Sequence, residues 1–427
     1  MKAPWIRHGI RGCVIALFCA CSAGSVWAVK CVFTDPQFSF QTLRAVSAAS
    51  GGGADVAECL RTAARIPERD MEAWYREWYA LGKRLEGVAD EFLAAGHSVP
   101  ARGALLRACN YYRSAEFFLH LNPADPRILD SWGKSRACFQ RAAALMDRPV
   151  ITVAIPYEDT KIPGYLCLVD DSGAKRPLLM VHSGFDGTVE ELYAQIAVFA
   201  LERGYNCLLF EGPGQGAVIR EQKLPFRPDW EKVVTPAVDF ALERPEVDAE
   251  RVALMGISFG GYLAPRAAAF EPRIKALIAN GGVYDFHENF IRQAPPDVDE
   301  MLDTEEGAKE FDEGVYAAMS NNVTIAWVFG NGMWTFGVKT PSELTKATRP
   351  YTMKEVAGQI RCPTLIIDSE NDKDMPGQAR QLYAALECPK TFLMFTEEEA
   401  ADEHCQIGAA TISMARILNW LDQTFGR

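Results

Sequence analysis

Arg251-Val252-Ala253-Leu254-Met255-Gly256-Ile257-Ser258-Phe259-Gly260-Gly261 is the stretch on which the fold turns. Residues 251–255 read as a short, largely apolar strand, and residues 262–270 as an apolar helix. Between them stands a serine with glycine two places before and two places after. A strand that turns this sharply into a helix holds its central residue in a strained conformation. It also brings backbone so close that side chains at Gly256 and Gly260 would clash. The turn aims the Ser258 hydroxyl at the helix N-terminus, where amide hydrogens and the helix dipole favour negative charge. A glycine-serine-glycine spacing alone arises often by chance. The strand before it and the helix after it are what mark Ser258 as a nucleophile.

Outward from this turn, the second half of the chain alternates strand and helix. Residues 150–155 and 165–169 read as a leading hairpin. Further apolar runs lie at 177–181, 205–210, 276–279, 364–367 and 391–395. Helical patterns separate them at 192–202, 236–242 and 378–386, and a last helix is expected over 410–425. Short apolar strands with helices between them imply a mostly parallel sheet covered on both faces, an α/β architecture. One stretch, about 284–361, breaks the alternation. It has no clear strand, and it is too long for a simple connection. It reads as a lid inserted over the carboxyl ends of the strands. Trp327, Phe329, Trp334 and Phe336 fall in it and are candidate walls of a substrate pocket, with packing of the lid's own core as the alternative.

A serine hydroxyl needs a base. His404, in Asp402-Glu403-His404-Cys405, follows the last strand and precedes the last helix, and chain order serine, acid, histidine suits it. His182 precedes a glycine turn and reads as a loop-shaping residue, whereas His97, His120 and His287 read as structural. The acid that orients His404 belongs after the strand at 364–367, where Glu370, Asp372 and Asp374 are the candidates and Asp372 is favoured by its spacing. Two backbone donors must hold the oxyanion. One is Phe259 N–H, and the other comes from His182-Ser183-Gly184-Phe185, with Phe185 N–H preferred over Gly184. Thr188 and Glu191 have capping-box spacing, which implies a fixed loop there. Glu211-Gly212-Pro213-Gly214-Gln215-Gly216 is a second glycine-rich turn at a strand end. It lacks the Lys and Ser/Thr of a phosphate-binding loop, so it reads as a tight turn beside the site.

Ser183 to Thr188, Gly212 to Gly216, Gly256 to Gly261, Glu271-Pro272-Arg273, Glu403-His404-Cys405 and the helical stretch from Arg107 to Phe118 together resemble one known group. These are the α/β hydrolases with a helical N-terminal domain, which include 2,6-dihydroxypseudooxynicotine hydrolase and the fungal hydrolases that shorten polyketide pigment precursors. The similarity runs over roughly residues 70 to 425. One departure is Ser183, where the group usually has a second glycine. The resemblance implies an α/β-hydrolase fold with a helical N-terminal cap domain over 29–148 and a catalytic domain over 149–427. It implies an acyl-enzyme on Ser258 and cleavage of an ester or of a carbon–carbon bond next to a ketone. It implies no cofactor, and the residues suggest no metal site. The alternatives are a peptidase of the prolyl-oligopeptidase kind and a non-catalytic binding protein on a hydrolase fold. A many-stranded propeller would mark the first, and loss of a triad residue the second.

The remaining signals bound the setting. The chain has 427 residues and a formal net charge of -12, which argues against nucleic acid or an anionic membrane as partner. A small-molecule substrate fits better, and a homodimer is left open. Residues 1–28 read as a cleavable signal peptide, with Lys2, Arg7 and Arg11 ahead of a short apolar run and small residues before Ala28. The expectation is an exported, periplasmic or secreted protein, with lipidation at Cys21 as a minor variant. Of twelve cysteines, nine follow Ala28. No Cys-x-x-Cys occurs, and Cys167 and Cys207 sit in apolar runs as small buried hydrophobes.

Overall fold

The computed structural model describes residues 31–427, so the signal-peptide and Cys21 expectations lie outside the described residues. The chain begins with a helical region: α1 (Pro36–Ser47), α2 (Val56–Ala63), α3 (Met71–Ala94), α4 (Ser98–Glu116) and α5 (Pro126–Ala143). Aspartates start most of these helices. The side chains of Asp35, Asp55, Asp70 and Asp125 each accept a backbone N–H of the first turn, and Pro36 and Pro126 follow two of them. Each such cap satisfies amides that the helix itself cannot. Trp74 and Trp78 of α3 are fully buried, and Trp74 donates its indole N–H to Ser114 O at 2.8 Å.

An eight-stranded sheet follows, in the order β1-β2-β4-β3-β5-β6-β7-β8. The strands are β1 (Val150–Tyr157), β2 (Thr160–Cys167), β3 (Arg176–His182), β4 (Asn206–Phe210), β5 (Val247–Ile257), β6 (Ala276–Asn280), β7 (Thr364–Ser369) and β8 (Lys390–Phe395). β1 and β2 pair antiparallel, as does β2 with β4; all other pairs are parallel. Central strands β4, β6 and β7 are buried along their whole length, while edge strand β1 alternates exposed and buried residues. That difference follows from covering both faces in the centre and one face at the rim.

Successive residues of β3 feed different cores. Leu179 and Val181 join the cluster that contains the helical region, and Leu178 and Met180 join the cluster on the other face. Between strands run α6 (Val198–Glu202), α7 (Glu231–Leu242), α8 (Gly260–Ala268), α9 (Phe286–Ile291), α10 (Val298–Leu302), α11 (Glu305–Met319), α12 (Val323–Phe336), α13 (Pro341–Ala347) and α14 (Gln378–Ala385). The last helix is α15 (Ala410–Thr424). α9 to α13 occupy the stretch in which the sequence shows no strand.

Several local expectations shift. β5 starts at Val247, because Val247 already pairs with Arg176 across a bulge. α7 starts at Glu231 rather than at Pro236, which lies inside the helix. The stripe Val233, Val234, Ala237, Val238 and Ala241 is buried, and that packing outweighs the one hydrogen bond a proline removes. A turn of π-helix over Tyr193–Ala197 precedes α6 where a plain α-helix was expected. The glycines at 51–53 look flexible in sequence, yet they are a packing device. A Cβ on Gly51 would stand 2.1 Å from Ala194 O, so only glycine admits this approach of the helical region to the π-turn. Among the described residues all nine cysteines are free thiols, including Cys167 and Cys207, which face each other across β2 and β4.

Candidate active site

Ser258 follows directly on β5, with φ of 60°, a left-handed conformation that a non-glycine residue adopts only under constraint. The constraint is visible. Ser258 N–H donates to Asn280 O at 2.8 Å, and Gly261 N–H donates to Ser258 O at 2.6 Å. A Cβ on Gly256 would lie 2.0 Å from Gly260 O, so the turn closes only because that position is glycine.

His404 begins a single 3₁₀ turn after β8 and is buried. The next two residues, Cys405 and Gln406, have φ of 53° and 56°. This loop is tied to the one after β7. Gln406 Nε2 donates to Ser369 Oγ at 3.0 Å, and Asn371 Nδ2 donates to Asp402 Oδ2 at 2.5 Å. The ties bring His404 between Ser258 and Asp372. Ser258 Oγ donates to His404 Nε2 at 2.8 Å, and His404 Nδ1 donates to Asp372 Oδ2 at 2.7 Å. The other Asp372 oxygen accepts Asp374 N–H at 2.9 Å and Met375 N–H at 3.1 Å. All three residues thus sit beyond the carboxyl ends of parallel strands.

Of the three acids weighed, Glu370 turns away and accepts Glu397 N–H at 3.0 Å. Asp374 is half-exposed, with Oδ2 3.9 Å from His404 Nε2. Only Asp372 is buried against the ring. Burial alone would push the His404 proton affinity down. The Asp372 carboxylate overrides that and holds its pKa well above the ordinary 6.5. Burial likewise pushes Asp372 up, and the opposing imidazolium charge brings it below its ordinary value. His404, Asp372 and Asp374 are the one grouping among the described residues with metal-ligand spacing, their donor atoms lying within 4.8 Å of one another. Both ring nitrogens of His404 are already engaged by protein groups.

The loop after β3 lies against the serine turn. A Cβ on Gly184 would stand 2.6 Å from Phe259 N, so the chain entering Phe185 passes directly beside that amide. Among the described residues neither Phe259 N–H nor Phe185 N–H has an acceptor within the protein. Gln215, from the glycine-rich turn after β4, donates to Ser183 O at 2.7 Å and to Gly184 O at 3.0 Å. Glu191 Oε1 accepts Thr188 N–H at 3.0 Å, one half of the expected capping box, while Thr188 Oγ1 is left without a partner. Glu191 is also paired with Arg44 and Arg113, and Asp186 with the same two arginines, so the helical region grips this loop. His182, the loop-shaping candidate, is fully buried and bonded to Ser183 O at 2.9 Å, and burial depresses its pKa to about 4.

The four aromatics singled out between β6 and β7 divide. Phe336 lies 6.4 Å from the Phe185 ring and 6.2 Å from the Phe259 ring. Trp327 stands 6.0 Å from Phe185, stacks on Phe117 at 4.3 Å and donates its indole N–H to Phe117 O. Phe329 packs on Phe290, and Trp334 on His120 and Arg220. Sequence reasoning missed Phe226, Phe286 and Tyr351, which also surround Phe259. It missed Asn331 as well, whose Nδ2 donates to Phe185 O at 3.1 Å and whose Oδ1 meets His120 Nδ1. His120 in turn borders the buried Glu116–Arg220 ion pair. No periodicity marks these residues; they meet only through the tertiary fold.

Comparison with known proteins adds a family. The profile of the alpha/beta hydrolase family matches residues 178–405. "Hydrolase LUC6" of Fusarium sp is 36% identical over 411 residues, covering 92% of this chain and 98% of that protein. "20-hydroxy-prefusarin hydrolase FUS2" of Gibberella moniliformis is 37% identical over 411 residues, with the same coverages of 92% and 98%. The crystal structure of 2,6-dihydroxy-pseudo-oxynicotine hydrolase superimposes with a TM-score of 0.69 at 20% identity, covering 89% of this chain and 95% of that one. That likeness is one of fold.

Proposed function

The chain belongs to the alpha/beta hydrolase family, and from that premise we propose that it is a serine hydrolase working through an acyl-enzyme on Ser258. The observation that carries the reading is the unbroken hydrogen-bond chain Ser258–His404–Asp372, with Ser258 held at φ 60°. Ser258 Oγ attacks a carbonyl carbon as its proton passes to His404 Nε2. Asp372 stabilises the imidazolium that forms. The developing oxyanion is held by the N–H groups of Phe259 and Phe185. Collapse expels the leaving group, which takes the proton from His404 and leaves the acyl-enzyme. Water, deprotonated by His404, then attacks the acyl carbon, and the acid leaves as Ser258 Oγ takes that proton back.

The substrate is a small molecule with an ester, or with a carbon–carbon bond next to a ketone. Carbon leaves only when a neighbouring carbonyl stabilises it as an enolate, so the second case requires a 1,3-dicarbonyl or an activated aryl ketone. The helices between β6 and β7 act as a lid. The aromatic side chains around Phe259 and Phe185 favour a bulky, partly aromatic acyl group. The region ahead of β1 is helical, unlike the many-stranded propeller expected of the peptidase alternative.

A panel of aryl esters and 1,3-diketones tests this reading, run with the parent and Ser258→Ala. Loss of a triad nucleophile costs on the order of 10⁶ in kcat. A folded Ser258→Ala protein that turns over every member of the panel at the parent rate contradicts it.

A further inference from the structure

The glycine-rich turn after β4 presents Gln215, a fully buried side chain that takes no part in the proton transfers. Its Oε1 accepts Gly212 N–H at 3.0 Å, which fixes the orientation of the carboxamide. Its Nε2 then spends both hydrogens on successive carbonyls of the neighbouring loop, Ser183 O at 2.7 Å and Gly184 O at 3.0 Å. The flipped carboxamide would set Oε1 against two carbonyl oxygens and Nε2 against an N–H, so the network admits one orientation.

Gly184 O belongs to the same peptide unit as Phe185 N–H. No described peptide bond is cis, so within that rigid plane the C=O and the N–H point in opposite directions. Anchoring the carbonyl on Gln215 therefore turns the Phe185 N–H away from Gln215. That N–H has no acceptor within the described protein, and the chain leading to it passes against Phe259 N.

We propose that Gln215 is a positioning residue for the oxyanion donor: by holding Gly184 O it fixes the direction of Phe185 N–H. The inference rests on the serine-hydrolase reading above. Asn331 holds the following carbonyl, Phe185 O, so it orients the next peptide unit, whose N–H is that of Asp186. The two carboxamides come from different elements and act on adjacent planes. The one on the donor's own plane is Gln215.

The test compares the parent with Gln215→Met, which keeps the length and loses the donors, and Gln215→Glu, which also keeps the acceptor for Gly212 N–H. The probes are a p-nitrophenyl ester, a trifluoromethyl ketone that forms a tetrahedral adduct on serine, and the product carboxylate. Loss of one oxyanion donor lowers kcat by about 10²- to 10³-fold. The expected result is a fall of that size in kcat for both variants, with KM nearly unchanged. Affinity for the ketone falls by the same factor, and affinity for the product acid does not change. A residue that only supports the turn would not move ketone and product affinities apart. The proposal is overturned if a folded variant keeps the parent kcat and ketone affinity. It is overturned equally if both variants lose the fold, since Gln215 is then a structural strut. Full turnover in Ser258→Ala would instead sink the nucleophile, a separate outcome read in the same assay.

Discussion

Asp372 and Asp374 stand two residues apart in one loop, yet their surroundings assign them different work. Asp372 is buried against His404 Nδ1 and braced by two backbone amides, whereas Asp374 is half-exposed beside Nε2. Asp372→Asn removes the charge that steadies the imidazolium and is expected to lower kcat by about 10⁴. Asp374→Asn should change it by less than about tenfold, the scale of an exposed charge. The pH profile separates them further. In the proposed mechanism His404 must be neutral to accept the Ser258 proton, and the Asp372 carboxylate raises its pKa above the ordinary 6.5. Activity is therefore lost as pH falls through a value above 6.5, and in Asp372→Asn the residual activity should titrate at lower pH. An acid limb of kcat/KM at the same pH in parent and variant would contradict this. That Ser258 and His404 would come together was legible in the sequence, because chain order and the strand–turn–helix pattern fix their places. Asp372 was legible as one of three acids, and only burial separates it from Glu370 and Asp374. Gln215 and Asn331 carry no such mark, since what matters is the carbonyl each one meets across the fold.

Among the elements, α12 has residues that face two ways. Phe336 packs toward Phe185 and Phe259, beside the proposed oxyanion donors. Trp334, on the same helix, covers the Glu116–Arg220 pair through His120 and Arg220. The four aromatics of this helix looked alike in sequence, and the turn of the helix divides them. Phe336→Ala should reorder kcat/KM between small and bulky aryl esters. Trp334→Ala should leave that order unchanged and cost stability by about 1–2 kcal/mol, the ordinary scale for a half-buried side chain. Urea unfolding with a substrate series reads both. An unchanged ranking in Phe336→Ala would remove that residue from the pocket. The strands were legible wherever they were short and apolar, but their order in the sheet, with β4 between β2 and β3, was not. Element boundaries were less legible. Pro236 suggested a helix start, but a buried stripe carried the helix back to Glu231.

Taken whole, the molecule shares one apolar cluster between the helical region and one face of the sheet. Trp74, Tyr111 and Phe139 belong to the same packed cluster as Val181, Met255 and Ile367. Arg44 and Arg113 add ion pairs to the loop that presents Phe185. Such continuity predicts a single calorimetric unfolding transition, with calorimetric and van't Hoff enthalpies equal. Two resolved transitions would mean that the helical region folds apart from the sheet. The separation into a helical half and an alternating half was readable from periodicity. How closely the halves interlock was not, because Gly51 against Ala194 and Arg44 against Asp186 are contacts between distant residues. The proposed function makes Ser258 the nucleophile, activated through His404 and Asp372. Labelling the native protein with a fluorophosphonate and mapping the adduct by peptide mass spectrometry tests it most directly. One adduct is expected, on Ser258, absent in Ser258→Ala and formed far more slowly in His404→Ala. An adduct on another residue, or an active enzyme that takes no label, would contradict it.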